Sequence, residues 1–338
     1  MIAVDIVIPS IGRPDLLLAL LDSLARQTPQ PGQAADTMAS TTASIMATIT
    51  VTDDRHTADT GRRVHAAHPS VRYVAGPARG PAANRNHGAA RGQAPWLLFL
   101  DDDCHLDSNL LARYADHARA DPAAQVLEGA ILPVGRRPSA LHHAPINSDG
   151  GFLWSCNFMI KRQLFDSLGG FDPRFPYALE DCDLMQRLRE RGVRVPFVRA
   201  AVVRHPWRAI SLTELARQLL GHAVMADKHP VFVAGWTPRH VLRALRGRVR
   251  QYTGAGLGTL GLRAVPTAVC DFLAPVAMWG AVRIKPLRRA LVRRAQLLAN
   301  QGAKPGLPGV PGLPGLPGLP GVPGVPGVPR VPGTKVPP

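Results

Sequence analysis

Five apolar residues in a row, Trp96-Leu97-Leu98-Phe99-Leu100, run directly into Asp101-Asp102-Asp103. A strand without a polar position has no face to give to water, so it belongs inside a sheet covered on both sides, and such sheets are mainly parallel with helices on their faces. The flanking sequence agrees. From the start to about Arg208, short β-type runs alternate with helical stretches: Val4 to Pro9, Thr48 to Thr52 and Val71 to Ala75 read as further strands, and Pro14 opens a helix whose Leu17, Leu20, Leu21 and Leu24 share one face. The stretch Gln33 to Ser44, rich in Ala, Thr and Ser, reads as an extended loop. Residues 1–208 are therefore expected to form a layered α/β domain, and 338 residues of which 46% are apolar supply enough material for its core.

After Arg208 the pattern changes. Ser211-Leu212-Thr213-Glu214 has the form of a capping box, and Leu212, Leu215, Leu219 and Val224 follow at helical spacing. From Arg239 to Arg294 arginines recur among apolar residues with almost no acids, so residues 209–303 read as a basic helical extension. Within it, Ala264 to Val282 approaches the length of a membrane span, but Asp271, Pro266 and Pro275 interrupt it, which disfavours a crossing helix. Residues 304–338 repeat Gly-Leu-Pro or Gly-Val-Pro with period three, the collagen spacing in too few triplets to hold a triple helix, and so read as a disordered, polyproline-like tail.

Two clusters carry chemistry. Three carboxylates at the end of a buried strand place hard oxygen ligands at the rim of the sheet, where a magnesium or manganese ion and a diphosphate could be held. The same residues also suit an acidic turn or a helix N-cap, given Ser108 and Leu110-Leu111 beyond them. The second cluster is Gly169-Gly170-Phe171-Asp172 followed by Glu180-Asp181-Cys182-Asp183-Leu184, with Gly192 as a helix stop. Acids in a first helical turn favour the helix dipole, and one of them could instead accept a proton from an attacking hydroxyl.

Taken together, these pieces resemble glycosyltransferase family 2, the inverting transferases of GT-A fold, over about Val4 to His205. The likeness rests on Ile8-Pro9-Ser10 with Arg13-Pro14, Asp53-Asp54, Asn84-Arg85-Asn86-His87-Gly88, the aspartate triplet, the GGFD and EDCDL runs, and His205, all in the family's order. The resemblance implies a GT-A type, mixed but mainly parallel sheet flanked by helices. It implies a nucleotide pocket bordered by Pro9, with Asp53 or Asp54 at the nucleobase, Asp102 at the ribose and Arg85 near the nucleotide. Asp103, with Asp101 as the other acid of a D-x-D pattern, would hold Mn2+ or Mg2+, and His205 would reach the metal or the leaving phosphate. Asp181 matches the catalytic base, with Glu180 beside it, and the two are expected to project about 100° apart and so not to face the same hydroxyl. The implied partners are a nucleotide diphosphate sugar and a carbohydrate or lipid-linked acceptor in the making of a cell-surface polysaccharide or glycolipid. Ile11-Gly12 and Arg55-His56 depart from the family's usual residues beside the base pocket, so the resemblance leaves the nucleobase open.

Composition bounds what remains. A net charge of +16 suits nucleic acid, anionic lipid or a phosphorylated ligand, but the basic residues concentrate after Arg239 without a recognisable nucleic-acid module, so no nucleic acid is expected. An anionic membrane surface is the expected partner of that region, with Leu257, Leu262, Phe272, Leu273 and Trp279 entering the interface. Cys104, Cys156, Cys182 and Cys270 lack metal-site spacing and fit a reducing compartment as buried apolar side chains, and the start of the chain lacks a secretory signal. The expected location is cytoplasmic, peripheral on the membrane's cytoplasmic face. A nucleotidyltransferase, a basic nucleic-acid-binding protein and a collagen-like protein are the alternatives.

Overall fold

The computed structural model describes residues 2–27, 45–254 and 264–301. The loop expected over Gln33 to Ser44, the Gly/Pro tail, Leu257 and Leu262 lie outside them. β1 (Ile2–Ser10), α1 (Pro14–Ala25), β2 (Ile45–Asp53), α2 (Ala58–Ala67), β3 (Arg72–Ala75), α3 (Pro81–Ala89) and β4 (Trp96–Leu100) come first. Next are β5 (His105–Leu106), α4 (Leu110–Ala120), β6 (Val126–Pro133), β7 (His142–His143), β8 (Asn157–Lys161), α5 (Arg162–Ser167), α6 (Glu180–Glu190), β9 (Phe197–His205) and β10 (Arg208–Ala209). Helices α7 (Leu212–Lys228), α8 (Pro230–Gly235), α9 (Pro238–Gly254), α10 (Val265–Arg283) and α11 (Lys285–Gln301) follow.

Eight strands form one mixed sheet in the order β3-β2-β1-β4-β8-β6-β9-β5. The pairs among β3, β2, β1 and β4 and the pair β6–β9 are parallel, while β8 runs against both β4 and β6. The all-apolar β4 does what its sequence requires. Trp96, Leu98 and Leu100 join a core with Leu17, Leu20, Leu21 and Leu24 of α1 and Tyr114 of α4, while Leu97 and Phe99 point to the other face among Ala82 of α3, Phe165 of α5 and Leu184 of α6.

Strand order reverses between β1 and β4, which opens a crevice at their carboxyl ends. Because β8 is antiparallel, its amino end meets the carboxyl end of β4, with Asn157 opposite Leu100. His205 ends β9 on that same rim, since β9 parallels β6. Thus the residues after β1, β2 and β4, the loop before β8 and the end of β9 converge.

Two sequence motifs meet above this rim. Asn86 donates through Nδ2 to the Phe171 carbonyl at 2.7 Å and accepts from the Phe171 N–H at 2.9 Å, tying α3 to the GGFD run. Helix α7 begins on Ser211, whose Oγ accepts from the Glu214 N–H at 3.1 Å. Its Leu220, Val224 and Met225 pack with Phe175 and with Val292 and Ala295 of α11. Leu212, expected on that apolar face, is exposed because it is the first helical residue and lies ahead of the packed turns. Of the cysteines, Cys104 and Cys156 are buried, Cys182 is half-buried, and Cys270 is exposed on α10, contrary to a buried role.

Candidate active site

The aspartate triplet sits in a turn after β4, and α4 takes Asn109 rather than a triplet residue at its N-terminal boundary, so the N-cap reading does not hold. Asp102 and Asp103 are buried. Asp102 accepts from Ser10 Oγ at 2.8 Å and from Arg13, which also reaches Asp103 at 3.1 Å. Burial pushes the Asp102 carboxyl up to about 6, helped by Asp103 and Asp101 and opposed by Arg13 and the Ser10 hydroxyl. Burial would also raise Asp101, but the Arg85 and Arg208 guanidinium groups and His205 hold it down at about 2.

Asp101, Asp103 and His205 offer ligand atoms that lie within 4.8 Å of one another. Asp103 Oδ2 is paired with Arg208 through Nε at 2.9 Å, whereas its Oδ1 is buried, 3.4 Å from His205 Nε2 and without a hydrogen bond. His205 Nδ1 lies 2.8 Å from the Pro206 carbonyl, which orients the ring with Nε2 toward Asp103.

Across the crevice, α6 starts with Leu179 in the left-handed region at φ 73, followed by Glu180 and Asp181. A leucine held there is strained, and the strain sets how the two acids enter the site. Asp181 Oδ1 accepts from the Cys182 N–H at 2.8 Å and Oδ2 from the Ser155 N–H at 3.2 Å. Glu180 Oε1 accepts from Arg85 at 2.7 Å, and the other end of the same guanidinium meets Asp101 at 2.6 Å. Arg85 thus links the two acidic clusters from a buried position. Burial and the neighbouring Asp181 raise Glu180 to about 7 against Arg85, and burial raises Asp181 against its two N–H donors.

A cavity of about 680 Å³ joins these groups. Pro9, Ser10, Arg13, Asp54, Arg85, Asp101, Asp102, Glu180, Asp181 and His205 line it, as do Glu214, Arg217 and His222 of α7. Glu180 and Asp181 thus share one cavity despite their angular separation on the helix, because Arg85 draws the Glu180 side chain back toward Asp101. The paired aspartates after β2 divide. Asp53 is buried and consumed by the N–H groups of Gly12 and Arg55 and by the Tyr73 hydroxyl, at 2.8, 2.9 and 2.8 Å, so it braces the loops. Asp54 is the one on the lining.

Several contributors had no motif to announce them. Arg208 and the α7 side chains lie beyond the last recognisable run. Glu128 is fully buried, and its carboxylate accepts from the N–H groups of Gly151 at 2.7 Å and Phe152 at 2.8 Å, from Leu153, and from Asn147 Nδ2 at 2.8 Å. It thereby shapes the loop that carries Ser155 to Asp181. Its signal was a lone acid inside the apolar run Val126 to Leu132.

Residues 5–169 match the model of a family described as Glycosyl transferase family 2. The chain is 25% identical over 281 residues to the pre-mycofactocin glycosyltransferase of Mycobacterium tuberculosis, which takes in 67% of this chain and 59% of that protein. It is 28% identical over 220 residues to the O-antigen biosynthesis protein RfbC of Myxococcus xanthus, 57% of this chain and 16% of that one. The chain therefore spans less than two thirds of the length of these curated relatives. Among solved structures, S. aureus TarS 1-349 in complex with UDP-GlcNAc covers 89% of each chain with a TM-score of 0.51 at 14% identity, a likeness of fold. With the crevice at the β1/β4 reversal and a family match that runs from β1 through α5, the chain has a GT-A fold, and its residues 5–169 carry the sequence pattern of glycosyl transferase family 2.

Proposed function

We propose that the chain transfers a glycosyl group from a nucleotide diphosphate sugar to an acceptor hydroxyl with inversion, using a divalent cation and a carboxylate base. One arrangement carries the reading: the ligand atoms of Asp101, Asp103 and His205 gather at the sheet rim, and Asp181 and Glu180 stand on the lining of the cavity that Asp101 and His205 share. The buried Asp103 Oδ1 lacks a partner, and two carboxylates with one imidazole are a donor set that manganese or magnesium accepts. When bound by Asp101, Asp103 and His205, such a cation supplies Lewis-acid stabilisation of the charge developing on the departing diphosphate.

The chain's own residues do the rest. Asp181, fixed by two backbone donors, takes the proton of the acceptor hydroxyl as its oxygen attacks the anomeric carbon. The bond from that carbon to the diphosphate breaks on the opposite face, and the nucleoside diphosphate leaves with the electron pair, so one displacement inverts the centre. Arg85 holds Glu180 and Asp101 in register across the site and keeps Asp101 ionised. Asp54 and Pro9 serve the nucleobase side and Asp102 the ribose side.

TarS has been solved with UDP and with UDP-GlcNAc, which makes uridine nucleotide sugars the first donors to screen. The relative named for O-antigen biosynthesis favours a carbohydrate or lipid-linked acceptor of the cell surface. The test is a screen of nucleotide sugars for manganese-dependent donor hydrolysis and thermal stabilisation. Nucleoside diphosphate is the expected product. Pyrophosphate would assign nucleotidyl transfer instead, and full turnover of Asp103→Ala in manganese would refute the metal assignment.

A further inference from the structure

Between Arg239 and Arg294 the sequence holds twelve Arg and Lys residues and a single acid, Asp271. That acid is spent internally. Its buried carboxylate accepts from the Tyr252 hydroxyl at 2.9 Å and lies 3.1 Å from Arg248 Nη2, locking α9 to α10. The positive charge on the outer side of these helices is thus left uncompensated.

Arg239, Arg243, Arg246 and Arg250 recur at three- and four-residue spacing and share one face of α9, roughly opposite the face that carries Arg248 and Tyr252. All four are exposed, and among the described residues none is ion-paired. Leu242 and Val249 flank this row, each 48% exposed. On α10, Val265, Val269, Leu273 and Val276 form a second stripe that is about half exposed. It adjoins the flank where Ala268 and Phe272 pack with Tyr252 of α9. The expected insertion set changes accordingly: among its described members Phe272 packs inward and Trp279 is half-buried, which leaves Leu273 on the exposed stripe.

We propose that this face of α9 and α10 docks on an anionic lipid bilayer, with the arginine row at the headgroup phosphates and the Val/Leu stripe at the hydrocarbon boundary. A second copy of the chain would present the same uncompensated charge and be repelled. A nucleic acid would use the arginines and leave the apolar stripe in water. Helix α10 is long and apolar enough to cross a membrane by length and composition. Its Asp271, however, is held by Tyr252 and Arg248 of α9, and its Ala274 and Met278 pack with Leu215 of α7, so the helix lies on the bilayer rather than through it.

The test uses the full chain with vesicles of phosphatidylcholine alone and of phosphatidylcholine with phosphatidylglycerol. Sedimentation should retain the protein on the anionic vesicles at low salt, release part of it at high salt, and release it fully in alkaline carbonate. Replacing Arg239, Arg243, Arg246 and Arg250 together by Gln should weaken partition on the order of a hundredfold or more. Val269→Ser with Leu273→Ser should weaken it about tenfold. These positions are exposed, so circular dichroism and melting should stay as in the parent, and if the arginine variant does not fold the apolar pair carries the test. Equal retention on neutral vesicles, carbonate-resistant retention, parent-like binding by either variant set, or an oligonucleotide bound while vesicles are not, would each overturn the proposal.

Discussion

A carboxylate serves as a base only if it is both available and held still, and Asp181 meets the second condition through the Ser155 and Cys182 N–H groups. Asp181→Asn keeps the size of the side chain and part of that hydrogen bonding while removing its basicity. Calorimetry should then show donor affinity largely kept, and single-turnover transfer should fall at least about a hundredfold. Glu180→Gln should cost less transfer, since Glu180 is committed to Arg85; the reverse outcome would move the base to Glu180. Glu180 also makes a stability prediction. Its carboxyl is raised from 4.5 to about 7, chiefly by burial and then by Asp181. The folded state therefore holds this proton more tightly than the unfolded one. The stabilisation is complete below the unfolded value and is lost as pH rises through about 7. Melting temperatures of the parent and Glu180→Gln between pH 4.5 and 8 should diverge, with the variant gaining on the parent as pH rises. Glu128 differs in kind because it touches no reacting group. Glu128→Ala strands several buried donors around the loop before β8 and should cost on the order of 3 kcal/mol, read by urea denaturation.

At the scale of elements, α3 is placed by its first turn. Gly80 precedes it at φ +88, and a Cβ there would lie 2.0 Å from the Pro176 carbonyl oxygen in the segment leading to Glu180. Gly80→Ala must therefore push α3 and that segment apart, and with them Arg85 and its partner Glu180. Transfer should drop while circular dichroism changes little; parent-like turnover would show that the contact does not set the site. Elements with a strong period were legible in the sequence, and β4 and the buried face of α1 are as expected because an apolar run or stripe admits few arrangements. The two-residue strands β5, β7 and β10 were not, since so short a pairing leaves no period to read. Among site residues, carboxylates in recognisable runs announced themselves, but the division of labour between Asp53 and Asp54 did not. It depends on Tyr73, an element away, reaching Asp53. The bridging place of Arg85 was hidden for a related reason: one arginine among so many carries no mark of burial until Asp101 and Glu180 are seen on either side of it.

At the scale of the molecule, the helices after β10 complete the site instead of hanging from it. The compact unit runs from Met1 to Ala303, and α7 contributes Glu214, Arg217 and His222 to the cavity wall. The same helix reaches α6 from behind. Lys228 and His229 close on the fully buried Asp183 at 2.7 and 2.8 Å, where Arg187 also pairs with it, and Lys228 additionally holds Asp172 of the GGFD run at 2.8 Å. Ending the chain at Arg208 would leave Asp183 with Arg187 alone and would uncover Phe175, which packs against Leu220, Val224 and Met225. A buried carboxylate stripped of two of its three partners is costly, and the exposed apolar face adds to that cost. A chain ending at Arg208 should therefore lose donor-dependent stabilisation and aggregate, although it contains every residue of the family match. A chain ending at Lys304 should keep both turnover and melting temperature, because a period-three Gly/Pro sequence has no apolar face to add to a core. Light scattering, melting with and without nucleotide sugar, and transfer rates for the two truncations against the full chain are the measurements. Full activity in the chain ending at Arg208 would mean that α7 only covers the site, whereas loss in the chain ending at Lys304 would give the tail a part in the folded enzyme.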